Sequence, residues 1–373
     1  MIPQKRKADP MQAHVNRQYR VSPYLAFFLI YKTQFGVGVL GFQRYIAKTS
    51  GHDAWIAVIL SGLIIHLLLW MMYQMLNKEQ NDLISIHQTV FGKWTGNLLS
   101  FLFILQVFIS GTTVLRTFIE VIQVWVFPLF KTWPFSLVFL TSVYYIVSNG
   151  FRTVTGVCYF GAIIPLILIP TFLAPLEFAN FRNLLPIMDH SVTDLIKSVE
   201  EMTFTILGFE LLLLYYPYFI EPEKSQKWTH YGNLFTTLIY AGIAIVTFAY
   251  YAEDHLQVEI WPTLTMWKVI KLPVIERIEY VVISAWTIII LPNICTSFWA
   301  ASRGVKRIFQ ITQRRALLIL LAGSFIITCL LNNRMQIDHL NSFVSMIGIY
   351  LLYAYIPILF IIYHIRHKMR KRS

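Results

Sequence analysis

Charge is what this sequence has least of. Only 13% of its 373 residues are Asp, Glu, Lys or Arg, against 56% hydrophobic residues and a mean hydropathy of +0.58. That balance excludes a soluble globular core and implies a polytopic membrane protein. Cysteine is nearly absent. Cys158, Cys295 and Cys329 lie within or beside apolar spans, and their odd number and wide spacing exclude a disulfide framework or a metal site. The first twenty residues are polar and basic with no apolar stretch before Val21, so no cleavable signal peptide is expected and the first span serves as insertion signal. Paired carboxylates in an outward cleft, a nucleophile elbow, metal-ligand spacing and a phosphate loop are all missing, which points away from an enzyme and from any cofactor. Acidic residues are few, 19 against 31 basic, for a net charge of +12. The basic residues sit in short loops and tails, so they read as topology signals and not as a nucleic-acid surface.

What is present is a series of about ten apolar spans: 21–46, 54–76, 97–127, 135–149, 154–174, 203–220, 232–252, 278–301, 316–332 and 342–364. The fourth is short for a crossing and the third is long enough to tilt. With the N-terminus in the cytoplasm, twenty Lys and Arg fall on inside segments and nine outside, which predicts that both termini are cytoplasmic. The chain divides into a basic tail (1–20), a five-helix repeat (21–174), an extracellular linker (175–202), a second five-helix repeat (203–365) and a basic tail (366–373). A second outside loop, 253–277, carries an apolar stripe of Leu264, Trp267 and Ile270, which predicts a helix lying at the outer membrane interface.

Two spans are interrupted. Phe35-Gly36-Val37-Gly38-Val39-Leu40-Gly41 places three glycines inside span one, and each weakens a helix by about 0.5–1 kcal/mol relative to alanine. Span six carries Thr205, Gly208, Phe209 and Glu210 before a run to Pro217. Irregular backbone at that depth survives only against protein or a water-filled cavity. A close helix contact is the plainer explanation for either site alone. The two breaks occupy matching places in two five-span halves of opposite orientation, the pattern of a transporter-type binding site. The expectation is that Phe35–Gly38 and Gly208–Glu210 line one small-solute pocket, with helix N-termini aimed at a carboxylate. Gly111 and Thr112 in span three and Ser284 and Thr287 in span eight are candidate flanking groups. Charges inside spans are Lys32, Arg116, Glu120 and Glu210, each costly unless it faces protein or water. Arg116 and Glu120 are spaced i, i+4 and suit a self-satisfied pair. Lys32 and Glu210 suit a gate or floor beneath the pocket, with Glu210 alternatively contacting a substrate amine or a proton. His66 is a lone histidine for which packing is the simplest role.

Ser50-Gly51-His52-Asp53-Ala54-Trp55-Ile56 resembles the Gly-x-Asp-Ala-Trp signature of the B subunits of bacterial spore germination receptors. Val21-Ser22-Pro23, Asn183-Leu184-Leu185-Pro186, Gly208-Phe209-Glu210 with Pro217, and Glu276-Arg277-Ile278-Glu279 with Trp286 are similar as well. The resemblance runs from Val21 to the last span. It implies membership of the amino acid–polyamine–organocation superfamily and an all-α membrane fold, the LeuT-type 5+5 inverted repeat with broken helices 1 and 6. It further implies a spore inner-membrane protein, partnered by A and C subunits and by membrane lipid. Such a protein senses nutrients, commonly amino acids such as alanine, and triggers ion release and germination. Val37 stands where the family often has a polar residue between the glycines, and Gly41-Phe42 where it often continues to Leu-Pro. A proton- or sodium-coupled amino-acid permease shares the fold and is separated only by sustained transport. A structural scaffold is a third class and predicts no ligand-sized cavity.

Overall fold

The computed structural model describes residues 15–270 and 277–370. Most of the N-terminal basic tail, residues 271–276, and the last three residues lie outside the described residues.

Span one is in two pieces. Helix α1 (Leu25–Gln34) stops at the glycine run, a single tight turn covers Val37–Leu40, and α2 (Phe42–Ser50) follows. Helix α3 (Ala54–Glu79) is span two. A short helix α4 (Leu83–Phe91), capped by the Asp82 carboxylate on the N–H groups of Ile84 and Ser85, then leads into α5 (Lys93–Trp125). At 33 residues, α5 extends about 50 Å, well beyond a hydrocarbon core of about 30 Å. Helices α6 (Thr132–Ser148) and α7 (Phe151–Leu168) complete the first half.

The linker leads into α8 (Val192–Ile206). The chain breaks at Gly208 and resumes as a turn at Phe209–Leu211 and the short α9 (Leu212–Tyr215). Then come α10 (Ser225–Tyr250), two small helices α11 (Glu253–Val258) and α12 (Pro262–Trp267), α13 (Ile278–Phe309), α14 (Gln313–Leu330) and α15 (Arg334–Ile349). A π-helical stretch over Tyr350–Tyr355 joins α15 to α16 (Ile356–Arg370), forming the last span. Among the described residues seven helical stretches are long and apolar enough to cross a membrane. The shorter α6 and the two interrupted spans account for the difference from ten. Large apolar side chains such as Val138 (69% exposed) and Ile319 (65%) point outward, as a bilayer requires and water does not.

Helix α12 corrects one expectation. Leu264 and Trp267 are fully buried, and Thr263 Oγ1 donates to the carbonyl of Val39 at 2.9 Å. Its apolar stripe covers the broken span one instead of lying in the lipid interface.

Two anchors hold the interrupted spans. At one end of the bundle, Val21 N–H donates to Tyr218 O (2.8 Å) and Ile220 N–H to Val21 O (2.9 Å), so the entry to span one pairs with the exit of span six. At the opposite end the Gly-x-Asp-Ala-Trp segment acts as a clasp. Asp53 is buried, and its carboxylate accepts the backbone N–H groups of Met188 (2.9 Å), Asp189 (2.8 Å) and His190 (3.3 Å), plus His190 Nδ1 (3.2 Å). Gly51 has φ +48°, and an added Cβ would sit 2.9 Å from the His190 ring. The motif therefore ties the loop after span one to the entry of span six. Asp53→Ala leaves these donors unmatched. We expect a loss of about 2 kcal/mol, read as a lowered unfolding temperature of the purified protein, with Asp53→Asn retaining part of the stability; an unchanged midpoint in Asp53→Ala counts against the clasp.

Candidate functional site

The two breaks meet. An added Cβ on Gly38 would lie 3.0 Å from Thr205 of α8, and one on Gly208 would lie 2.5 Å from the carbonyl oxygen of Thr33 of α1. Each glycine thus lets its own break press against the helix that carries the other. Gly208 also has φ +121°, a conformation that side-chain-bearing residues rarely adopt.

The unwound carbonyls of span one are mostly taken. Tyr240 OH donates to Gln34 O (2.9 Å), Asn293 Nδ2 to Phe35 O (3.2 Å), Trp286 Nε1 to Gly36 O (3.4 Å) and Thr263 Oγ1 to Val39 O (2.9 Å). This satisfies groups that would otherwise be stranded at membrane depth. The amides at the start of the Val37–Leu40 turn have no intrahelical acceptor, as at any helix start. At the second break the Glu210 carboxylate folds back and accepts the Gly208 N–H at 2.7 Å. That half-helix start is therefore capped by its own acid.

Between the breaks lies a cavity of about 50 Å³. Gly36, Val37, Gly38, Thr205, Gly208 and Glu210 line it, together with Ser110 of α5 and Asn293 and Ser297 of α13. Val107, Val114 and Val344 supply an apolar wall. A larger vestibule of about 380 Å³ opens beside it, bounded by Arg44, Tyr45 and Lys48 of α2, Glu201 of α8, and Arg334 and Asp338 of α15. Val37, Gly38, Phe204 and Thr205 border both spaces.

Several expected residues stand elsewhere. Phe35 and Phe209 are buried beside the cavity without lining it; the Phe35 ring packs among Tyr31, Tyr240 and Trp286. Gly111 lets α5 approach α13, where an added Cβ would meet Ser297 Cβ at 2.9 Å. The Thr112 hydroxyl donates to Phe108 O and lies 3.1 Å from the Ser324 hydroxyl of α14. Ser284 is exposed and bonds back to Tyr280 O, and Thr287 is half-buried, so both miss the cavity because they project from other faces of α13. The polar groups that do reach it, Ser110, Asn293 and Ser297, lie one residue from Gly111 and two turns beyond Thr287. An Asn following a proline within a span was the available signal.

The charges pair differently as well. Glu120 binds Arg334 Nη1 at 2.7 Å, not Arg116, and Arg334 Nη2 reaches Asp338 at 2.8 Å. Arg116 Nε donates to Leu331 O (2.9 Å). The Arg334 guanidinium, at the start of α15, is held between Glu120 of α5 and Asp338 one turn along its own helix. Lys32 and Glu210 do not form an ion pair. The Lys32 ammonium is fully buried over the rings of Tyr31 and Phe35 (5.8 and 5.7 Å), beside Cys158, with no hydrogen-bond partner among the described residues. His66 meets His230 of α10, Nδ1 to Nδ1 2.8 Å, with stacked rings.

Comparison with known proteins agrees with this architecture. The chain is similar to a Na⁺-coupled sialic acid symporter solved in a substrate-bound, outward-open state, with a TM-score of 0.64 over 91% of this chain and 80% of that one. At 12% identity this likeness shows the fold alone, that of the LeuT-type transporters. In sequence the chain is 44% identical over 354 residues to spore germination protein GerQB of Bacillus cereus, covering 95% of this chain and 98% of that one. It is 23% identical over 363 residues to spore germination protein YndE of Bacillus subtilis, with the same coverage, and 25% identical to spore germination protein B2 of that organism over 83% of this chain and 86% of the relative. A family model described as spore germination protein matches residues 20–337. With its helical membrane fold, two interrupted spans and this match over most of its length, the chain belongs to the spore germination permease family of integral membrane proteins.

Proposed function

We propose that this chain is the nutrient-sensing subunit of a spore germination receptor and that it holds a small amino acid between the two breaks. The observation that carries this reading is the cavity where both interrupted spans converge, lined by polar groups and by valines. A zwitterion fits the asymmetry of the breaks. Its carboxylate takes the amides of Gly36–Gly38, since span one alone presents an uncapped helix start. Its ammonium takes the Glu210 carboxylate with Asn293 and Ser297. Its side chain meets Val107, Val114 and Val344, which favours a small apolar group such as that of alanine.

The cavity has room for only a few heavy atoms, whereas ligand pockets typically run to about 300 Å³ or more. Entry from the vestibule therefore requires Phe204, which borders both spaces, to swing aside. Ligand shifts the balance between arrangements of the two broken spans only by its difference in affinity for them. In the receptor reading the chain sits in the spore inner membrane with both termini cytoplasmic, and A and C subunits pass the change on to ion release.

The test is a thermal-shift titration of the purified protein with alanine, propionate and ethylamine. We expect stabilisation by alanine alone, and its loss in Asn293→Ala and Glu210→Gln; both variants should still fold, with Asn293→Ala less stable by about 1–3 kcal/mol because it strands the Phe35 carbonyl. Equal shifts by propionate or ethylamine, or none by any amino acid, overturn the site. Concentrative uptake of alanine into proteoliposomes would instead identify a proton- or sodium-coupled permease on the same fold.

A further inference from the structure

A groove of about 350 Å³ opens between the start of α1 and the first turns of α7, at the end of the bundle where span one enters and span six leaves. Its walls are apolar and aromatic: Val21, Tyr24, Leu25, Tyr159 and Ile220. Its rim carries Arg20, Arg152 and the Ser22 hydroxyl, and no carboxylate lines it. Arg152 Nε donates to Arg20 O (3.0 Å) and Arg20 Nε to Val15 O (2.8 Å). These bonds fix both guanidinium groups through one nitrogen each. Among the described residues their terminal nitrogens have no acceptor and form no ion pair. The next acid along the chain, Glu221, is engaged by Lys224. Gly156 forms part of the wall, and an added Cβ there would meet nothing within 4 Å. The missing side chain is part of what leaves the groove open.

We propose that this groove binds one anionic glycerophospholipid, with its phosphate on Arg20, Arg152 and Ser22 and an acyl chain along Tyr24, Leu25 and Tyr159. Two fixed arginines without acids suit a phosphodiester, since guanidinium forks bind phosphate in two-point geometry. The tyrosines stand half-exposed on the outer surface of the bundle, where amphipathic rings sit at headgroup level. A free phosphate would use the rim and leave the apolar wall unfilled. Basic pockets between membrane helices recognise anionic headgroups in this way. Because the groove joins the entry of span one to Ile220 beyond span six, its occupant contacts the adjoining ends of both interrupted spans. This inference is independent of what binds at mid-membrane.

The test is thermal unfolding of the delipidated full chain in detergent, titrated with phosphatidylglycerol, with phosphatidylcholine of the same acyl chains, and with inorganic phosphate. Phosphatidylglycerol is expected to raise the midpoint by about 3 °C beyond phosphatidylcholine. Gly156→Leu, which fills the groove from a position with open space, and the double variant Arg20→Gln/Arg152→Gln are each expected to abolish that difference while matching wild type in phosphatidylcholine. An equal shift by phosphatidylcholine, the full shift from inorganic phosphate, or a retained phosphatidylglycerol shift in Gly156→Leu overturns the lipid site.

Discussion

Gly208→Ala is expected to cost at least about 3 kcal/mol, a severe loss for any protein. Two effects add. The backbone at φ +121° strains any residue with a Cβ, by roughly 1–3 kcal/mol. The new methyl would also stand 2.5 Å from the Thr33 carbonyl oxygen, which belongs to backbone and cannot rotate away. Relief requires α1 to separate from the second break, and that opens the proposed site. Gly36→Ala is the control. Gly36 has φ −131°, outside the left-handed region, and its added Cβ would meet the Asn293 side chain at an ordinary 3.4 Å. Thermal unfolding in detergent should show a large fall for Gly208→Ala and a small one for Gly36→Ala, while both lose the ligand-induced shift. The bulkier Gly36→Leu should abolish the nutrient response while the protein still accumulates. Gly208→Leu should fail to accumulate, because its damage reaches the fold. Equal midpoints for the two alanine variants would refute the distinction.

Arg334→Gln, at the wall of the vestibule, is expected to lower stability by about 3 kcal/mol, because it strands the buried Glu120 carboxylate. The same guanidinium holds Asp338 and stacks over Trp261 at 5.3 Å, so it ties α5, α15 and the segment before α12 together. Glu120→Gln/Arg334→Gln should recover most of the loss, since the uncompensated charge is gone. A double-mutant cycle separates this from simple packing loss. Strictly additive single effects would mean that the pair contributes little. Arg116→Gln is expected to do less, because its partners are the Leu331 carbonyl and the Gln123 side chain, not an acid.

The features legible in the sequence are those in which a residue's cost depends on the membrane and not on its neighbours. Glycines inside an apolar run weaken a helix wherever the chain goes, so both breaks could be read directly. The same holds for the scarcity of charge. The resemblance of Gly51-His52-Asp53-Ala54-Trp55 likewise pointed to the right family, although nothing local says that Asp53 clasps three amides more than 130 positions away.

Choices among chemically equal candidates were not legible. Thr287 and Asn293 lie on one helix six residues apart, and only the rotation of α13 against α1 decides which of them faces the breaks. Glu120 had an arginine at i, i+4 and another 214 positions on, and the one held by a packed helix end won. The sequence by itself determined where the helices come undone, because that is a property of local backbone energetics in a medium without water. Tertiary structure alone decided which groups face the resulting space and which atoms satisfy the freed carbonyls. Those depend on how rigid helices are rotated about their axes, and that is set by packing contacts distributed over the whole chain.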